Sequence, residues 1–139
     1  MKIAGLISQI LLGLIFTFFG LNGFLHFLPT PPLTGVSGAF MGALISSHYV
    51  FLVAGTQLIA GVLLLANQFV PLALALLAPV IANILVYHLT MDPGTIPLAL
   101  VVAILWVLAI WRFRAHFAPL FVRKPVVSPA SVQRDISAR

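Results

Sequence analysis

The sequence contains no cysteine and almost no charge: of 139 residues, 7 are Lys or Arg and 2 are Asp or Glu. Without a thiol, the chain alone forms no disulfide, thiol relay, zinc-thiolate or iron-sulfur site, nor any covalently attached c-type haem. Redox chemistry here needs a bound cofactor or a partner. The scarcity of acid removes most carboxylate catalysis as well, since Asp92, in a Pro/Gly turn, is the one charged side chain between Ile3 and Trp111. What fills the chain instead is apolar: 62% of residues are hydrophobic, 6% are charged, and the mean hydropathy is +1.19. A soluble domain needs a charged surface, so the solvent this composition suits is a lipid bilayer. The sequence pI near 10.9 is no sign of nucleic-acid binding, because the basic residues are few and flank the apolar runs rather than forming an aromatic-interleaved patch.

Four apolar runs are long enough to cross a membrane, at about 3–28, 49–66, 71–88 and 96–113. The first, led by Lys2, also has the start of a signal peptide, but its length exceeds a signal h-region of about 7 to 15 residues and no A-x-A site follows. It reads as a span. Leu28-Pro29-Thr30-Pro31-Pro32 ends it, since proline lacks an N–H and disfavours helical geometry in the residue before it. The stretch from Leu33 to His48 is rich in small residues and long for a connection, which predicts a short interfacial or re-entrant helix. Asn67-Gln68-Phe69-Val70 is a tight turn that makes the second and third spans antiparallel neighbours. Pro71 suits a first helical turn, whereas Pro79 is expected to kink the third span. The expected fold is therefore all-α: an integral membrane four-helix bundle over 1–116, followed by a basic cytoplasmic tail over 117–139 that is partly disordered from Pro125.

With four spans both ends share one side, and all seven Lys and Arg residues fall there. The positive-inside rule then assigns the termini to the cytoplasm. Trp111 and Phe113 at the inner edge and Tyr49 and Tyr87 near the outer one fit interfacial anchoring, while Trp106 lies too deep for it.

This orientation collects the polar residues of the spans. Asn22 and His26 end the first span, His48 and Gln57 lie in the outer part of the second, and Asn83, Tyr87 and His88 end the third. All converge on the outer half. Asn22 and His26 share a helix face, as do Asn83 and Tyr87. The inner half holds only Ser8, Gln9 and Thr17. One reading is that these groups hydrogen-bond between helices, each worth about 0.6 kcal/mol in membranes. Another is a pocket open to the outer face and roofed by 35–47, in which Asn22, His26, Gln57, Asn83, Tyr87 and His88 bind a small polar or quinone-type ligand. Ligation of a metal or haem by two of His26, His48 and His88 ranks below both, since no pair within one helix has the i, i+4 spacing of a metal clamp.

Gly20-Leu21-Asn22-Gly23-Phe24-Leu25-His26-Phe27-Leu28-Pro29, the small-residue loop, Gln57-Leu58-Ile59-Ala60-Gly61, and Pro79-Val80-Ile81-Ala82-Asn83 with Tyr87-His88 occur in an order that resembles the DoxX-like family of small four-helix membrane proteins. The resemblance covers about 3–111. It implies a multi-pass protein of the bacterial inner membrane, in a family that includes DoxD, a subunit of a thiosulfate:quinone oxidoreductase. The thiosulfate activity is not carried over, because the chain has neither cysteine nor a basic cluster on the outer side.

The function expected is an accessory subunit of a redox or quinone-linked membrane complex, acting with a partner subunit or as a homo-oligomer. Quinone is the cofactor class that suits the site, and haem ranks below it. A stand-alone quinone- or haem-dependent oxidoreductase is the alternative. A small-solute transporter comes last, since the polar residues stop at mid-depth.

Overall fold

A computed structural model describes residues 2–29, 32 and 34–123, the side chain of Lys2 excepted. The disorder expected from Pro125 onward lies outside the described residues. Among those described there are six α-helices and no strand: α1 (Lys2–Leu25), α2 (Gly35–Ser46), α3 (Tyr49–Leu65), α4 (Val70–Thr90), α5 (Ile96–Arg112) and the single turn α6 (Arg114–Phe117). Short 3-10 turns at Pro93–Thr95 and Ala118–Phe121 precede α5 and follow α6. α1, α4 and the stretch Pro93–Arg112 are each long and apolar enough to cross a membrane. α3, at 17 residues, rises only about 26 Å and meets that length only together with α2, which turns away from it by 85°.

The helices start and stop where their local chemistry requires. Pro71 occupies the first turn of α4, where its missing N–H costs nothing, and α4 runs unbroken through Pro79. Three junctions turn on four left-handed residues that are not glycine: His26 (φ 51°) after α1, His48 (φ 60°) between α2 and α3, and Asn67 (φ 53°) with Phe69 (φ 50°) between α3 and α4. This geometry crowds Cβ against the carbonyl and costs about 1–2 kcal/mol per residue. Asn and His tolerate it better than most, which is one reason they stand at these corners.

The helices pack in a ring, α1 against α3 and α5, α3 against α4, and α4 against α5. The tightest contact is an antiparallel seam between α1 and α3. Glycine is needed there at two points: a Cβ on Gly20 would lie 2.6 Å from the backbone nitrogen of Leu58, and one on Gly61 would lie 2.5 Å from that of Thr17. Gly13 against Leu65 and Gly23 against Ala54 continue the seam at its two ends. Leu12, Phe16, Ala60, Leu64, Leu74, Leu77 and Ile81 fill the core behind it.

Two contacts fix which ends lie together. Gly5 lets the Arg112 stem approach α1, so the start of α1 sits beside the end of α5. Phe40 of α2 meets Tyr87 of α4 with ring centroids 5.8 Å apart, so α2 covers the opposite end. Trp106 donates from Nε1 to the Leu74 carbonyl at 2.9 Å, joining α5 to α4. That carbonyl lies one residue before Ala75, whose own carbonyl Pro79 leaves without a helical donor. The depth of Trp106 thus has a hydrogen-bonding reason.

The outward surface is apolar, with Leu14, Ile59, Leu72, Val86, Leu98 and Ile104 all exposed. Such a continuous surface is foreign to a soluble monomer and compatible with a multi-pass membrane protein. The seam makes a testable prediction about stability. Gly61→Ala should cost about 1–3 kcal/mol through overpacking, whereas Gly42→Ala, whose Cβ meets nothing within 4 Å, should be neutral or stabilising by up to about 1 kcal/mol. Thermal unfolding in detergent compares the two.

Candidate functional site

The end of the ring covered by α2 holds the residues expected to form a site, and the structure treats them unequally. Asn22 is half-buried and already occupied at the end of α1. Its side-chain oxygen accepts the Leu28 N–H at 2.8 Å and its backbone carbonyl accepts the His26 N–H at 2.8 Å. It satisfies backbone groups that the helix end would otherwise orphan. His26 is exposed, and its ring lies 3.2 Å from the Phe24 carbonyl. His48 is likewise exposed and left-handed, at the corner between α2 and α3.

Gln57 is half-buried on α3 and Asn83 is exposed on α4, and neither makes a side-chain hydrogen bond among the described residues. The Asn83 amide faces outward from the ring rather than toward its neighbours. Tyr87, one turn further along α4, is half-buried. Asn22, His26, Gln57 and Asn83 are not linked to one another by side-chain hydrogen bonds among the described residues.

Two aromatic clusters gather the remaining groups. On the α1–α3 side, Phe24 stacks on Phe51 at 5.6 Å and 12°, with the His48 ring 5.9 Å from Phe51. On the α2–α4 side, Phe40 contacts Tyr87, and Tyr87 meets His88 edge-on at 5.2 Å. His88 continues into the connection to α5, where its Nδ1 lies 2.5 Å from Thr95 Oγ1, which in turn donates to Asp92 Oδ2 at 2.7 Å. Neither Thr95 nor Asp92 is among the polar residues of the spans, since both lie in the turn before α5. The signal available was that Asp92, the one acid of the apolar region, follows His88 by four residues.

At the opposite end, Gln9 and Ser8 are buried, at 1% and 2% exposure. The Gln9 amide nitrogen donates to the Leu64 carbonyl at 2.9 Å and to Asn67 Oδ1 at 3.0 Å, so α1 clamps the last turn of α3 and the corner into α4. Gln9 Oε1 and Thr17 Oγ1 accept no hydrogen bond among the described residues. The most deeply buried polar side chains therefore belong to the terminal end, while those of the α2 end stay accessible.

Each cluster sets a histidine beside aromatic side chains, a combination that can meet a flat polar ring by edge contacts and hydrogen bonds. Among the described residues, no group of three His, Cys, Asp or Glu side chains is placed to hold a metal ion. Comparisons with family models, with characterised proteins and with solved structures return no match for the chain.

The backbone of His26 separates a corner role from a binding role. If the corner is what His26 supplies, His26→Gly should hold stability to within about 1 kcal/mol, because glycine adopts φ 51° without a Cβ penalty, and His26→Val should lose about 1–2 kcal/mol. Unfolding midpoints of the two variants in detergent measure the difference.

Proposed function

We propose that the chain is a DoxX-like, four-span protein of the bacterial inner membrane that serves as an accessory subunit of a redox or quinone-linked complex. In this reading α1, α3, α4 and α5 form a transmembrane four-helix bundle with both termini in the cytoplasm. α2, about 18 Å long and turned 85° from α3, lies along the outer interface as a short interfacial helix. Support for the orientation comes from Arg112, Arg114 and Arg123 at the terminal end, set against an α2 end whose one charge is Asp92.

The observation that carries the subunit reading is Asn83. It lies seven residues from the end of α4, about 10 Å along the helix, exposed on a face with Pro79, Ala82 and Val86. In hydrocarbon an amide with no partner is costly, and polar groups in spans face a protein neighbour or water. A partner subunit, or a second copy of this chain, satisfies the amide, and the small side chains beside it admit close approach.

A photo-crosslinking residue at Ala82 tests this in membranes. The expected result is one defined protein adduct, a partner or a second copy, which weakens strongly in the Asn83→Leu background. Crosslinking to lipid alone contradicts the reading.

A quinone-type ligand at the α2 end is the cofactor reading, favoured by the Phe40, Tyr87 and His88 cluster. Titration of the purified protein with a short-chain quinone should saturate for the wild type and weaken in His88→Ala. Equal binding by the two removes His88 from the site.

A further inference from the structure

We propose that His88 is a proton-accepting group at the α2 end, with Nε2 as its working atom and with Thr95 and Asp92 as the positioning residues that keep it in that state. Thr95 has one hydroxyl hydrogen, and three polar atoms surround its Oγ1: His88 Nδ1 at 2.5 Å, Asp92 Oδ2 at 2.7 Å and the Asp92 carbonyl oxygen at 3.1 Å. An ionised carboxylate and a backbone carbonyl only accept hydrogen bonds. The hydroxyl hydrogen therefore goes to Asp92, and Oγ1 is left to accept a hydrogen from His88. A neutral imidazole that donates from Nδ1 carries its lone pair on Nε2.

The local backbone argues that this chain of bonds is more than helix capping. Asp92 stands at the N-cap of the 3-10 turn Pro93–Thr95 and Thr95 at the N-cap of α5, positions where a side-chain oxygen ordinarily accepts a backbone N–H. Neither side chain does so. The Thr95 hydroxyl instead reaches back seven residues to His88, and the Asp92 carboxylate takes the Thr95 hydrogen. Both caps are given up to hold one imidazole. Asp92 is the only acidic side chain among the described residues, so the one negative charge available lies a single hydroxyl away from His88.

The ligand this arrangement takes is an aromatic ring bearing a hydroxyl. Tyr87 meets His88 edge-on and Phe40 extends the wall across from α2. A ring hydroxyl placed there donates to Nε2. When the proton transfers, the O–H bond breaks and an N–H bond forms at Nε2, and the ligand is left as the oxyanion. The new imidazolium charge is stabilised by Asp92 through Thr95. The inference rests on the ring-binding reading above and deepens it: of the two oxidation states of a quinone-type ring, the hydroxyl-bearing quinol is the one that donates to Nε2.

The test uses the full chain in detergent micelles, labelled with 15N-histidine, with decylbenzoquinol as the probe and His88→Gln to assign the resonance. The wild type is expected to show His88 protonated on Nδ1 and bare on Nε2. Thr95→Ser should keep that tautomer, and Thr95→Val should release it. Added quinol should shift the His88 Nε2 resonance, and dialysis should show binding about tenfold weaker in Thr95→Val, as for one lost hydrogen bond to a charged group. A wild-type His88 protonated on Nε2 overturns the proposal whatever the variants do. Quinol that is retained on dialysis but leaves His88 unmoved overturns it while the ring-binding reading stands. Quinol that is not retained takes down both.

Discussion

The close antiparallel approach of α1 and α3 is the constraint on which the other contacts depend. Lipid tails are as apolar as leucine, so helices in a bilayer are not driven together by burial of oily surface, and van der Waals packing has to supply the association. Gly20 and Gly61 bring the two backbones within reach of each other. That approach delivers Gln9 to the last turn of α3, where its amide donates to the Leu64 carbonyl and to Asn67 and so steadies the corner from which α4 departs. α4 in turn positions Leu74 for Trp106 of α5, and the end of α5 closes on α1 at Gly5. One seam thus propagates around the ring.

How much of this was legible in the sequence depends on the kind of signal. Long apolar runs and proline punctuation are local, and they locate α1, α4 and α5 to within a few residues, together with the tight corner at 67–70 and the helical character of 35–46. Which face of a helix looks inward is not local. A soluble helix advertises its inner face by the contrast between apolar and polar sides, whereas these helices are apolar all round. Asn83 and Tyr87 share a helix face by spacing, yet Asn83 is exposed and Tyr87 half-buried. The pairing was legible and its direction was not. Gln9 shows the converse: it looked like a minor polar residue of the inner half, and only the nearness of α1 to α3 makes it the most buried polar side chain of the chain's described part.

The two ends of the ring have different chemistry. At the terminal end, buried Gln9 and Ser8 are structural, and the exposed arginines form cation-π contacts with Trp111 and Phe113, as suits a charged interface. At the α2 end the polar groups are accessible, and two of the histidines, His26 and His48, serve as left-handed corners. His88 differs from them. It lies within α4, takes no part in a corner, and its Nδ1 meets the Thr95 hydroxyl, which donates to Asp92, the one acidic residue among those described. Chemistry on this framework is best sought at His88, and association with a neighbour at Asn83.

In the proposed reading the bundle spans the membrane with its termini in the cytoplasm and α2 outside. Because the chain has no cysteine, single cysteines report topology without background. Gly42→Cys in α2 and Gly94→Cys before α5 should react with a membrane-impermeant maleimide on intact spheroplasts, while Gln68→Cys and Ala115→Cys should react only after permeabilisation. Labelling of Gly42→Cys and Ala115→Cys from the same side would contradict this orientation.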